Sequence, residues 1–316
     1  MKIVRNIFFI HLLAGFALLN FSCHRDPTIT SYKTRNVVIV MIDGPRYSET
    51  WGETSHQNIP HLVSIVPNGV FCTGFYNDGI TNTINGHTAI VTGHYGNINN
   101  SGLELPEYPT LFQYYLEASR EANDKAWVVS SKDKLAVLNN CEYASYKNKF
   151  NAFTDCGVNG NQTGYREDTT TLRKALNVLR NYKPHLIMIH FKEPDATAHA
   201  GDSLGYINGI VQTDIYFQQI WDYLQTDPLY SGKTTIFLTN DHGRHLGNAP
   251  NWWGHGDGCD GCRHINFFAA GPDFKKNMIC TTRYQQIDIS ATIGELLGFK
   301  MPLSSGVVMK DLFKEN

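Results

Sequence analysis

The chain has 316 residues, 42% of them hydrophobic, with 27 Lys and Arg against 29 Asp and Glu and a formal net charge of −2. That length is enough for one large core and sits near the size at which chains begin to split into domains. The near-neutral balance excludes a nucleic-acid surface built on a general basic surplus, so any basic group that matters acts locally.

The chain opens on the charged stretch Met1-Lys2-Ile3-Val4-Arg5 and an apolar run from Ile7 to Phe21. This predicts an export signal over residues 1–22, because the run is shorter than the roughly 20 apolar residues of a spanning helix. Leu19-Asn20-Phe21-Ser22-Cys23 is similar to a bacterial lipoprotein cleavage site, with Asn20 where an aliphatic residue is usual. The expectation is a periplasmic protein, or one anchored to the outer membrane by a lipid on Cys23. Residues 23–35 read as a polar linker and 36–316 as one domain.

Val37 to Ile42 is a continuous, β-branched run ending in Asp43, the pattern of a central parallel strand buried on both faces. The same grammar recurs at Ala126 to Ser130, His185 to Phe191, Thr234 to Leu238 and Ile265 to Ala270. Amphipathic helical segments lie between, at Tyr108 to Ala122, Thr169 to Asn181, Gly205 to Thr226 and Ile287 to Leu297. The alternation predicts an α/β fold, a doubly wound, mostly parallel sheet with helices on both faces. Residues 138–167, rich in Asn, Gly, Tyr, Lys and Cys without sustained periodicity, are too long for an ordinary connection and read as a substrate-side cap or insertion.

Beyond Cys23 there are six cysteines, an even number in a chain bound for an oxidising compartment. Cys259-Asp260-Gly261-Cys262 has metal-knuckle spacing, but no second Cys-x-x-Cys supplies the other ligands of a structural zinc. The spacing therefore favours a local disulfide, such as Cys259 to Cys262 or Cys141 to Cys156.

Metal-type ligands follow three of the expected strands, and the crevice beyond the carboxyl ends of such strands is where ligands bind. Asp43 closes the first; Asp195 and His199 follow the strand ending at Phe191; Asp241 and His242 close the strand from Thr234; His255 comes soon after. Any one of these residues alone reads as a helix cap or a loop polar group. Six N and O donors at three strand ends read as a binuclear site, and carboxylate with imidazole suits zinc, or manganese. Thr83, if it begins a helix, gains from the helix N-terminus both an easier alkoxide and a site for an anionic phosphate.

Val40-Met41-Ile42-Asp43-Gly44, Thr83-x-x-x-His87-x-x-x-Val91-Thr92-Gly93, Glu193-Pro194-Asp195-x-x-x-His199, Asn240-Asp241-His242-Gly243 and Gly254-His255-Gly256 occur in that order. Together they resemble the nucleotide pyrophosphatase and phosphodiesterase branch of the alkaline phosphatase superfamily, over about Asn36 to Gly298. The resemblance implies that Asp195, His199 and His255 hold one metal, and Asp43, Asp241 and His242 the other beside the nucleophile Thr83. It implies a phosphate-binding Asn, best matched by Asn100, with Asn97 and Asn99 as alternatives. Thr83-Ile84-Asn85-Gly86-His87 departs from that branch in lacking its Phe-Pro-Asn core. Ser131-Lys132-Asp133-Lys134 resembles the Lys-Asp-Arg of phosphate-irrepressible alkaline phosphatases, with Lys134 in place of the Arg, which keeps the charge and loses bidentate recognition.

The resulting expectation is an exported hydrolase of small phosphomonoesters that uses two divalent metals, zinc first, and a phosphothreonine intermediate, with no nucleic-acid partner. The alternative is a phosphodiesterase of the same fold. A sulfatase draws its nucleophile from Cys or Ser in a C/S-x-P-x-R context that is absent around Thr83. A cofactor-independent mutase conflicts with the export signal, and a non-catalytic binding module conflicts with a complete ligand set.

Overall fold

The computed structural model describes residues 31–315 apart from 248 and 249, and the expected export signal, its cleavage site and Cys23 lie outside the described residues. The strands in chain order are β1 (Asn36–Asp43), β2 (Val70–Cys72), β3 (Phe75–Tyr76), β4 (Ala126–Ser130), β5 (Phe153–Cys156), β6 (Leu186–Pro194), β7 (Thr234–Asn240), β8 (Phe267–Ala270), β9 (Met278–Cys280) and β10 (Tyr284–Gln285). The helices are α1 (Pro60–Ile65), α2 (Thr83–Thr92), α3 (Leu111–Ser119), α4 (Asp168–Asn181), α5 (Asp195–His199), α6 (Ser203–Thr226), α7 (Asp260–Arg263) and α8 (Asp288–Leu297). Eight strands form one sheet in the order β5-β4-β6-β1-β7-β8-β2-β9, and β3 with β10 forms a small separate pair.

Every residue of β1 is buried, as its unbroken apolar run requires. Val37, Ile39 and Met41 enter one core with Ile84 and Val91 of α2, Phe112 of α3 and Ile293 of α8. Val38, Val40 and Ile42 enter the other with Leu62 of α1, Leu179 of α4 and Phe217 of α6. Alternate side chains thus serve opposite faces, which makes the sheet doubly wound, and each large one contributes on the order of 1.5–3 kcal/mol by burial.

The strands from β5 to β7 are parallel, whereas β8 runs antiparallel to both β7 and β2. The run Ile265 to Ala270 therefore has the composition of its parallel neighbours but the opposite direction. A parallel return needs a crossover, usually a helix packed on the sheet, and between β7 and β8 the described residues make only the four-residue α7. Within residues 138–167, β5 adds an edge strand to β4, and Arg166 ties the end of the segment down through the Asp155 carboxylate and carbonyl.

All six described cysteines are free thiols. The expected Cys141–Cys156 disulfide is not formed; the Cys141 sulfur faces the Tyr143 carbonyl and the Cys156 sulfur faces that of Val128. The sulfurs of Cys259 and Cys262 lie 3.4 Å apart, unbonded.

The topology places the site. β6, β1 and β7 are adjacent and parallel, with Asp43 in register with Pro194 and Ile42 with Asn240. Their carboxyl ends, far apart in sequence, deliver Asp43, Asp195 and Asp241 to one spot.

Candidate active site

Asp43, Asp241 and His242 are fully buried. Nε2 of His242 lies 3.6 Å from Oδ1 of Asp43 and 3.3 Å from Oδ2 of Asp241, and these three atoms have no hydrogen-bond partner. Nδ1 of His242 donates to the Gly243 carbonyl at 2.8 Å, which leaves a lone pair on Nε2. Three converging acceptors with nothing to accept from are costly in a protein interior. A divalent cation satisfies all three, and ligand atoms about 2.0–2.1 Å from a tetrahedral zinc lie at roughly these separations from one another.

The electrostatics point the same way. Burial raises Asp241 well above the carboxylate range and the Asp43 charge raises it further. Burial opposes the charge on Asp43 too, but Lys132 and His190 overrule it and hold that carboxyl well below its ordinary value. Burial lowers His242 to about 4, so its ring is the neutral form that a metal requires.

The second triad sits alongside. Asp195 opens α5 and His199 closes it, one turn on, with His199 Nε2 3.3 Å from Oδ1 of Asp195. His255 Nε2 is 3.7 Å from the same oxygen and 3.0 Å from Nε2 of His199. Nδ1 of His255 donates to the Thr81 carbonyl at 2.8 Å, again exposing the Nε2 lone pair. The six expected ligands thus form two adjoining groups, and His242 also lies within ligand reach of Asp195 and His255.

Thr83 is the first residue of α2, and its side chain is buried except toward the cleft. Gly86 lets α2 come this close, because a Cβ there would lie 2.5 Å from the Asp241 carbonyl oxygen. The Lys132 ammonium is 3.3 Å from Oγ1 of Thr83 and bridges Oδ2 of Asp43 at 2.7 Å and Oδ2 of Asp195 at 2.5 Å. Lys134 donates to Oδ1 of Asn100 at 3.0 Å, and that oxygen also accepts from the Ile84 amide of α2 at 2.9 Å. Both lysines are nearly buried and line, with Thr83, Asn100, His199 and His255, a cleft of about 310 Å³ walled on one side by Tyr165. Asn97 and Asn99 stand exposed, and Oδ1 of Asn99 accepts from the Ser101 amide, so Asn100 is the asparagine brought to Thr83.

Two further residues belong to the site that the motif reading did not single out. His190 on β6 is fully buried, with Nε2 2.8 Å from Oδ2 of Asp43 and Nδ1 2.9 Å from Oγ of Ser130. Arg244 is equally buried, and its Nη2 donates to Oδ1 and the carbonyl of Asp195. A buried histidine interrupting the β6 apolar run was the available signal for the first; the arginine had none beyond its place two residues after His242. Groups that orient metal ligands matter nearly as much as the ligands. His190→Ala is expected to weaken divalent-metal binding by about 10- to 100-fold while the sheet stays folded. A zinc titration of metal-stripped protein checks this, and unchanged affinity would show that Asp43 needs no such support.

The family-model match, together with the shared sheet architecture, makes this chain a hydrolase of the alkaline phosphatase superfamily. Within it the chain belongs to the sulfatase family, whose model matches residues 35–299. Solved structures of the same architecture include the phosphonate monoester hydrolase of Silicibacter pomeroyi, at TM-score 0.66 and 13% identity over 88% of this chain and 76% of that one. Murine ectonucleotide pyrophosphatase/phosphodiesterase 5, as an inactive variant with AMP, matches at TM-score 0.66 and 16% identity over 89% of this chain and 100% of that one. A 2-O GAG sulfatase matches at TM-score 0.65 and 12% identity over 87% and 73%.

Proposed function

We propose that this protein is an exported, zinc-dependent phosphomonoesterase working through a phosphothreonine on Thr83. The observation that carries the reading is the placement of two ammonium groups, Lys132 at Thr83 and Lys134 at Asn100, inside one cleft. A phosphomonoester dianion carries one more charge than a phosphodiester or a sulfate ester. Among the buried groups that line the cleft, that extra charge is met best by a fixed cation.

Asp43, Asp241 and His242 would hold one zinc and Asp195, His199 and His255 the other, and the pair would supply charge neutralisation and easier deprotonation of the attacking hydroxyl. The chain's own groups do the rest. The N-terminus of α2 favours the Thr83 alkoxide and an incoming anion. Lys132 donates toward Oγ1 and steadies negative charge there, and Asn100, its oxygen already engaged by Ile84 and Lys134, turns its amide nitrogen to donor use. Oγ1 attacks phosphorus, the bond to the ester oxygen breaks, and the departing alkoxide takes a proton. Water then attacks the phosphothreonine, releasing orthophosphate and restoring the Thr83 hydroxyl. The segment before β1, with its signal-like residues 1–22 and Cys23, supports action outside the cytoplasm.

The family match also favours a sulfate ester, so the test must separate the two. Rates on p-nitrophenyl phosphate, its methyl diester and p-nitrophenyl sulfate are expected to rank the monoester first. Lys132→Ala and Lys134→Ala should each cost about 10²- to 10³-fold in kcat/KM on the monoester, roughly 2.7–4 kcal/mol, and much less on the other two. Burial, then the neighbouring Lys132 charge, brings Lys134 down to about 8. Its charge is present below that pH and lost above, so kcat/KM for the monoester should decline as pH rises through about 8. The permanently charged Lys134→Arg should move that limb upward. Equal rates on all three esters in wild type and both alanine variants would contradict the reading.

A further inference from the structure

Four donor side chains meet outside the active site, on the segment that returns from β7 toward β8. His245, Asp257, Cys259 and Cys262 each place a ligand atom within 4.8 Å of all the others. We propose that they bind a structural zinc ion, through two thiolates, one imidazole and one carboxylate, and that this ion fastens the segment carrying Arg244 and His255.

The sequence lacks the second Cys-x-x-Cys that would complete a zinc knuckle, and the fold supplies the missing donors from His245 and Asp257. The two sulfurs, 3.4 Å apart as free thiols, are near the roughly 3.8 Å expected for two thiolates about 2.3 Å from one tetrahedral zinc. Cys259 precedes α7, and the Cys262 amide donates back to the Cys259 carbonyl at 3.0 Å, the tight turn that points both sulfurs one way.

The histidine gives an independent indication. Its Nδ1 donates to the Asn251 carbonyl at 3.1 Å, so the lone pair lies on Nε2. That Nε2 is buried without a hydrogen-bond partner and faces Oδ2 of Asp257 at 3.0 Å. A cation among this nitrogen, this carboxylate oxygen and the two thiols would satisfy all four donors at once. Oδ1 of Asp257 is fixed by the Cys259 amide at 3.1 Å, which orients the carboxylate toward the cluster. Carboxylate, imidazole and thiolate together are a zinc donor set, and four protein ligands mark a structural rather than a catalytic ion.

The consequence lies in the active site. Gly243 and Arg244 donate to the Cys262 and Gly261 carbonyls, and the His245 amide donates to Gly254. An ion joining residue 245 to residues 257–262 would lock this segment at both ends, holding Arg244 on Asp195 and His255 on Thr81.

The test uses the intact chain purified without chelator, as wild type, as His245→Ala and as a Cys259→Ser, Cys262→Ser double variant. Zinc-edge X-ray absorption on wild type should show a sulfur shell at about 2.3 Å. The double variant should lose that shell and about one equivalent of zinc, and become more sensitive to proteolysis between β7 and β8. His245→Ala should keep its thiols and still lose most of that zinc. The phosphoesterase ligands are all N and O, so the sulfur signal reports on this centre alone, whatever becomes of the phosphoesterase reading. A zinc-replete wild type without sulfur scattering, or an intact mass showing a Cys259–Cys262 disulfide in the isolated protein, would overturn the proposal.

Discussion

Thr83→Ala is expected to abolish turnover almost completely, by a factor on the order of 10⁶ in kcat if it behaves like other nucleophile deletions, while zinc content and melting temperature stay near wild type. All six ligand side chains survive the change, and Thr83 contributes little to packing beyond its methyl group. Thr81→Ala is the control. Its hydroxyl accepts from the Gly256 amide at 3.0 Å, but its carbonyl, which holds His255, remains. That loss is worth about 1 kcal/mol, or roughly fivefold. Rates and zinc content of both variants decide the matter, and the reverse pattern would move the nucleophile two residues.

The second large effect is a reversal of sign at Asp241. Stripping zinc should abolish activity and lower the melting temperature, because Asp43 and Asp241 are then two buried carboxylates with unsatisfied oxygens. Burial and then the Asp43 charge drive Asp241 upward, so the metal-free protein carries a strained pair. Asn in place of Asp241 keeps an oxygen for the Gly44 and His242 amides, which now donate at 3.2 and 3.0 Å, and removes the like charge. Metal-free Asp241→Asn is therefore expected to melt above metal-free wild type, by about 2–4 °C per kcal/mol relieved. With zinc the order should invert, and activity should fall by at least about 10³-fold as one charged ligand is lost. Calorimetry of both proteins with and without zinc reads this directly; an Asn variant less stable in both states would mean that Lys132 and His190 already satisfy the pair.

That the six donors converge was legible because the pattern is local: a carboxylate or imidazole directly after an apolar strand is visible in the chain, and parallel topology brings such ends together. Thr83 was legible for a similar reason, since α2 begins at that residue and stops at Gly93, whose φ of 73° suits glycine. His190 was not, because a histidine within a strand reads as core until its partner, Asp43 on the adjacent β1, is known. Arg244 was hidden likewise; only the fold brings residue 244 to residue 195. The direction of β8 depends on what the preceding segment does, and β2 and β9, three residues each, are too short to carry a pattern. The cysteines, expected to pair, stand as free thiols, and the approach of His245 to Cys259 and Cys262 was not legible because no spacing rule announces it.

The central claim, a phosphoryl group carried on Thr83, is tested most directly by rapid acid quench during turnover of p-nitrophenyl phosphate, followed by peptide mass spectrometry. The expected result is phosphothreonine at position 83, absent from Thr83→Ala and absent when p-nitrophenyl sulfate replaces the phosphate. A modification at another residue, or a sulfated Thr83 formed faster from the sulfate ester than the phosphorylated form from the phosphate, would contradict it.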